Sequence, residues 1–192
     1  MPHVTFLGGD NVFMRGTEAE NRKFVYCPSE DVPFILDVTA ITPPNKNYYI
    51  SRNCCDHYVL MFIPRGSGDL DYNGIHYDLQ PSDAVLIEPG SRSCYKASAD
   101  DPFELIWANF FCDYMDSYLS GIGLKGTPVI RGVDCERKMR DIVSLAMQDP
   151  NNDHLCFPVM RLVDEILLTL AETLHFEKQR AASHLAHAIK DL

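Results

Sequence analysis

Seven histidines and seven cysteines are the residues of this 192-residue chain best suited to act as metal ligands or nucleophiles. Their spacing supports neither role. The cysteines, at 27, 54, 55, 94, 112, 135 and 156, are odd in number and include no Cys-x-x-Cys pair, so they match neither a disulfide framework nor a zinc-site pattern. His57 follows Cys54-Cys55 closely, but such local adjacency is not a recognised nucleophile–base pairing, and there is no Gly-x-Ser-x-Gly elbow. Gly66-Ser67-Gly68 does not extend into a phosphate-binding loop, so its glycines are expected to serve turn geometry. His3, His154, His175, His184 and His187 have no assigned partner and read as ordinary surface or core residues. Trp107 is the only tryptophan.

Charge narrows the function classes. Seventeen Lys and Arg stand against 27 Asp and Glu, a net charge of −10. A chain that grips DNA unaided needs clustered cations for the phosphates, and this balance excludes it from that class. No basic segment leads into an apolar one at the N-terminus, so no signal peptide is expected. The longest apolar stretch, near Ile166 to Ala171, is far short of the ~20 residues that span a bilayer. Scattered thiols without a disulfide pattern fit a reducing compartment, and a cytoplasmic location is expected.

The elements that would position any site change character near residue 130. Before it, apolar and aromatic runs at about 33–42, 47–52, 57–64, 68–72, 75–79, 84–88 and 103–111 read as strands separated by Gly, Pro, Asn and Asp. Asn73-Gly74 tolerates the positive φ of a type I′ turn and predicts a tight hairpin. Residues 1–30 show little periodicity and read as an irregular arm. Beyond 130, Met139, Ile142, Val143, Ala146 and Met147 recur at helical spacing over 134–148, with Asp134 as N-cap and Asp149-Pro150 as stop. A second helix is expected over about 157–178. Its wide apolar face includes Leu167, Leu170, Ala171 and Leu174, and Leu168 falls within the opposite polar arc.

An ordered series of motifs runs through the strand-rich part. Arg52 is followed by YVLMFIPRGSGDLDYNGIHYDLQPSDAVLIEPGSRSCY and then PFELIWANFF. This resembles the N-terminal sensor domain of AraC-family transcription regulators: an arginine, a strand ending in Gly-x-Gly, a hairpin, a Pro-Gly-Asp-like turn, an apolar strand, a Pro-Gly turn ending in tyrosine, and a Trp-x-x-Phe strand. Ser82 departs from the glycine usual at the first of those turns. The resemblance covers about 35–120 closely and the helices loosely.

The resemblance implies a mainly β fold, a cupin-like double-stranded β-helix (jelly-roll) barrel followed by two C-terminal α-helices. Residues 1–130 would form the ligand-binding barrel with its arm, and 131–180 a helical dimerisation segment. Residues 181–192 would form a linker and the start of a helix-turn-helix domain, so the chain is expected to hold the sensor and lack the DNA reader. By motif position it assigns the ligand to Arg52, Tyr95 and Trp107, and more loosely to Thr42. It assigns a homodimer contact to Leu167, Leu168, Ala171 and Leu174. The ligand would be a small polar effector, with a carbohydrate among the candidates, although Leu105 stands where a sugar-binding relative has histidine. Promoter DNA would be a partner only through the further domain, and no membrane partner is implied. Cupins are often metalloenzymes, but the paired histidines and glutamate of their metal pattern are missing: only His57 precedes the glycine turn, and Ser93 and Cys94 follow Pro89-Gly90. No metal, no cofactor and no enzymatic activity are therefore expected. Two alternatives stay open, a metal-dependent cupin enzyme and a stand-alone small-molecule-binding cupin. Trp107 and Tyr95 could also be plain barrel core, with Arg52 paired to an acid.

Overall fold

The structure is a computed structural model that describes residues 12–15, 23–24, 33–148 and 154–190, with side chains described over 33–148 and 154–183. His3, Cys27, the Asp149-Pro150 stop and the side chains of His184 and His187 lie outside the described residues. The strands are Val12–Arg15 (β1), Lys23–Phe24 (β2), Phe34–Thr42 (β3), Tyr49–Arg52 (β4), Tyr58–Arg65 (β5), Gly68–Tyr72 (β6), Ile75–Leu79 (β7), Ala84–Ile87 (β8), Ser93–Ala97 (β9) and Glu104–Cys112 (β10). Helix Met115–Ile122 (α1), strand Val129–Ile130 (β11), and helices Glu136–Gln148 (α2) and Cys156–Lys190 (α3) follow.

The strands form two antiparallel sheets of the jelly-roll type, in the orders β1-β4-β9-β6-β7 and β11-β8-β5-β10-β3-β2. Two apolar clusters result. Ile50, Leu70 and Tyr95 of the first sheet meet Met61, Ile87 and Leu105 of the second in the barrel lumen. On the outer face of the second sheet, Leu60, Phe62, Ile106 and Phe110 pack under Met115, Ile142, Val163 and Leu167 of the three helices. This explains the unbroken apolar run of β5, whose first six residues are all buried: one face lines the lumen and the other carries the helices. Each fully buried Leu or Ile in these layers contributes roughly 1.5–3 kcal/mol of transfer free energy.

The Asn73-Gly74 hairpin forms as expected, with φ of 50° and 85°. Several elements differ from the expectation. The arm contributes two short strands, β1 against β4 and β2 against β3. Segments of four and two residues carry no readable periodicity, and distant edges create them. β9, read only as the end of a turn, is a central strand between β4 and β6. Among the described residues a short helix, α1, precedes the two expected helices. α1 stops at Gly123, whose φ of 77° lets its N–H reach back to the carbonyls of Leu119 and Ser120. The last helix does not end near 178 but continues to Lys190.

Candidate functional site

Alternation along β4 turns Ile50 and Arg52 inward, and alternation along β9 does the same for Ser93, Tyr95 and Ala97. Arg52 is 7% exposed, and its Nη1 donates to the Tyr95 hydroxyl at 2.5 Å. Its guanidinium carbon also lies 5.7 Å from the centre of the Tyr95 ring. Burial by itself disfavours the charged form, but the Tyr95 hydroxyl more than offsets it, with Cys55 and Tyr48 adding to the effect, so the pKa is raised and Arg52 stays a cation. Among the described residues no carboxylate forms an ion pair with it. The acid partner of a core-only Arg52 is thus not found among them.

Trp107 and Thr42 face the same lumen from the six-stranded sheet. Trp107 is half-buried and stands opposite Ala40 on one side and Met61 on the other. Its indole N–H donates to Thr42 Oγ1 at 2.9 Å, and Thr39 Oγ1 donates to its carbonyl at 2.7 Å. Thr42 therefore orients the indole. The four expected ligand residues thus stand as two hydrogen-bonded pairs, Arg52 with Tyr95 and Trp107 with Thr42, on the two inner faces of one barrel.

Three further buried polar atoms lie on or just before these strands. The Ser93 hydroxyl, Asn109 Oδ1 and His57 Nε2 are buried with no hydrogen-bond partner among the described residues. Ser93 lies directly beside Arg52 in the ladder, and Asn109 stands opposite Val59 at the start of β5. His57 is bonded through Nδ1 to Asp56 at 2.5 Å and meets Phe111 edge-on at 5.8 Å. Close to it, Asp37 is the extra residue of a β-bulge where Asn109 pairs with Val38 and Phe110 with Leu36. Burial pushes the Asp37 carboxyl up, and His57 draws it back only in part. In the sequence His57 reads as a metal ligand or catalytic base and Ser93 as a metal ligand, neither with a partner set, and Asn109 carries no motif. The signal was period two: Ser93 shares a face with Tyr95, and Asn109 shares one with Trp107.

Other features lie apart from the lumen. Among the described residues, Asp69, His76 and Asp78 are the group of donors close enough to share an ion, and they stand exposed or half-exposed on the β6–β7 hairpin. His76 Nδ1 bonds Asp71 at 2.9 Å, and its Nε2 lies 3.6 and 3.5 Å from Asp69 and Asp78. An open depression of about 510 Å³ nearby is lined by Asp69, Asp78, Lys96 and neighbours, and by none of the expected ligand residues. Of the expected dimer residues, Leu168 is 43% exposed, Ala171 and Leu174 are half-buried, and Leu167 is fully buried. Leu167 is thus taken up by the chain's own core. Among the described residues no helix is long and apolar enough to cross a membrane.

Several known proteins are similar to this chain. The lactose operon transcription activator of Staphylococcus xylosus is 26% identical over 117 residues, covering 59% of this chain and 42% of that protein. The chain thus spans less than half the length of that relative. Among solved structures, YhaK of Escherichia coli is similar at a TM-score of 0.42 and 15% identity, over 50% of this chain and 46% of that one. The Cnp3 cupin domain of Schizosaccharomyces pombe gives 0.37 and 13%, over 53% and 72%. A cupin protein of Bacteroides fragilis gives 0.35 and 15%, over 43% and 68%. Residues 35–189, most of the chain, match the AraC-like ligand binding domain. The chain belongs to the family of AraC-like ligand-binding domains.

Proposed function

We propose that this chain is the ligand-sensing and dimerisation part of a cytoplasmic AraC-type transcription regulator, which binds a small polar effector inside its barrel. Arg52 and Tyr95 hold oxygen atoms of the effector, Trp107 packs against its C–H face, and Thr42 fixes the indole. The observation that carries this reading is the buried Arg52–Tyr95 pair, facing the lumen with no acid partner among the described residues. A carbohydrate fits the combination of a half-buried indole and a multi-donor guanidinium, and the similar activator from S. xylosus is named for a lactose operon. The barrel acts as a binder and not a catalyst.

The division of labour follows the sequence: residues 1–130 hold the effector, 131–180 associate the subunits, and 181–192 lead toward a separate DNA-reading domain. Association uses the exposed side of α3, with Leu168 at the contact and Ala171 and Leu174 at its edge, in an isologous pair. Thermal melting of the chain against a panel of mono- and disaccharides and their acids tests the effector role. A true effector at about 100 times its Kd adds roughly 2.7 kcal/mol to stability and raises the melting temperature visibly. A panel that produces no shift at millimolar concentration would overturn the carbohydrate assignment.

A further inference from the structure

We infer that the effector carries a carboxylate next to hydroxyl groups, and that Ser93 and Asn109 read it together with Arg52. The inference rests on the lumen being the effector site. Ser93 and Asn109, which lack a partner among the described residues, lie at one end of the lumen. Arg52, Ser93 and Tyr72 form one rung of the five-stranded sheet, and Asn109, Val59 and Ile87 form one rung of the facing sheet. Residues 53–57 join Arg52 directly to β5, so both rungs lie at the same end. The loops there are tied by Cys55 N–H to the Ser91 carbonyl at 3.1 Å and Gly90 N–H to the Cys55 carbonyl at 2.7 Å. His57 belongs to the same end. The opposite end is lined mainly by Tyr48, Ile63, Leu79, Ala97 and Phe103, with Thr42 beside Leu105 and bonded to Trp107.

The unused valences at the Arg52 end divide into two kinds. Arg52 offers up to five N–H donors and a positive charge, and among the described residues Tyr95 takes one of them. The Ser93 hydroxyl beside it is unbonded. A buried cation is stable only with a counter-charge or a full set of acceptors, and a carboxylate supplies both through its bidentate fit to guanidinium. Asn109 Oδ1 can only accept. His57 Nε2 also accepts when Nδ1–H is directed at Asp56. These two atoms call for donors, which hydroxyls provide. A neutral sugar leaves the Arg52 charge unmatched, and a bare carboxylate leaves Asn109 and His57 unmatched. A hydroxy acid of the sugar-acid type matches both.

The test uses ring-matched pairs in which a carboxylate replaces the terminal CH₂OH: galacturonate against galactose, and glucuronate against glucose. Titration followed by Trp107 emission is expected to show at least one uronate binding about tenfold or more tighter than its hexose, with the preference abolished in Arg52→Gln. Ser93→Ala is the second variant. Removing a hydroxyl that has no partner should leave the free chain at least as stable, while uronate affinity falls several-fold. A hexose that binds as tightly as its uronate overturns the inference and leaves the effector reading in place. So does a Ser93→Ala chain that melts lower yet binds uronate unchanged, because its hydroxyl is then structural. Silence from all four compounds overturns the inference as well, whereas the effector reading answers to the wider panel.

Discussion

Ser82 holds a backbone conformation that its side chain disfavours, with φ at +68° in the turn ahead of β8. Its N–H and C=O bind Ile63 and Val133, so the strain is locked in by both sheet and chain. Ser82→Gly, the glycine usual in the family, is expected to stabilise the chain by about 0.5–1 kcal/mol, read as a higher urea midpoint. Gly68 tests the opposite case: an added Cβ would lie 2.3 Å from the Lys96 carbonyl and 2.4 Å from the Phe103 ring. Gly68→Ala should therefore cost about 3 kcal/mol or more, whereas Gly74→Ala, with nothing within 4 Å, should cost about 1–2 kcal/mol through its φ alone. His76 adds a pH dependence. Its hydrogen bond to Asp71 raises its pKa above the ordinary 6.5, against an opposing effect of desolvation, and the charges of Asp71, Asp69 and Asp78 add to the rise. The folded value then exceeds the unfolded one, so the stabilisation is complete below 6.5 and is lost as pH rises through the folded value. Wild type and His76→Ala should thus differ in melting temperature at about pH 5.5 and converge on the alkaline side of neutrality. A difference that grows with rising pH would contradict this origin.

Elements were legible where their own residues imposed a period. β6 and β7 with the Asn73-Gly74 turn, the doubly buried β5 and the apolar face of α2 all follow from side-chain pattern alone. β9, β11 and α1 did not. Ser93-Cys94-Tyr95-Lys96-Ala97 has one aromatic and no β-branched residue, and it becomes a strand because β4 and β6 both pair with it. α1 buries only Met115 and Leu119, too few to establish a helical repeat. On α3 the two adjacent leucines separate packing from association. Leu167→Ala, at a fully buried position, is expected to cost about 2–5 kcal/mol of stability. Leu168→Glu should leave the monomer within about 0.5 kcal/mol and weaken the dimer, which sedimentation across micromolar concentrations would report. A dimer unaffected by Leu168→Glu would move the contact elsewhere on the surface.

At the scale of the whole molecule, a closed barrel supplies an interior and the helices seal one of its outer faces. The change in composition near residue 130 falls at β11, ahead of α2 and α3, and the ordered motif series singles out Arg52, Tyr95 and Trp107, whose side chains face the space between the two sheets. What they do there was harder to read, because partnering across two sheets is a property of register, which no local window contains. The unbonded Ser93 and Asn109 emerge only from that register. A net charge of −10 opposes phosphate binding, so this chain should produce no mobility shift with promoter DNA at physiological salt. The central claim is that the effector binds between the two sheets, and the emission of Trp107, the only tryptophan, tests it most directly. The ligand that most raises the melting temperature should change that emission saturably, and Arg52→Gln should abolish the change while the chain still melts cooperatively. Saturable stabilisation with unaltered Trp107 emission, undiminished by Arg52→Gln, would place the ligand outside the barrel and contradict the account.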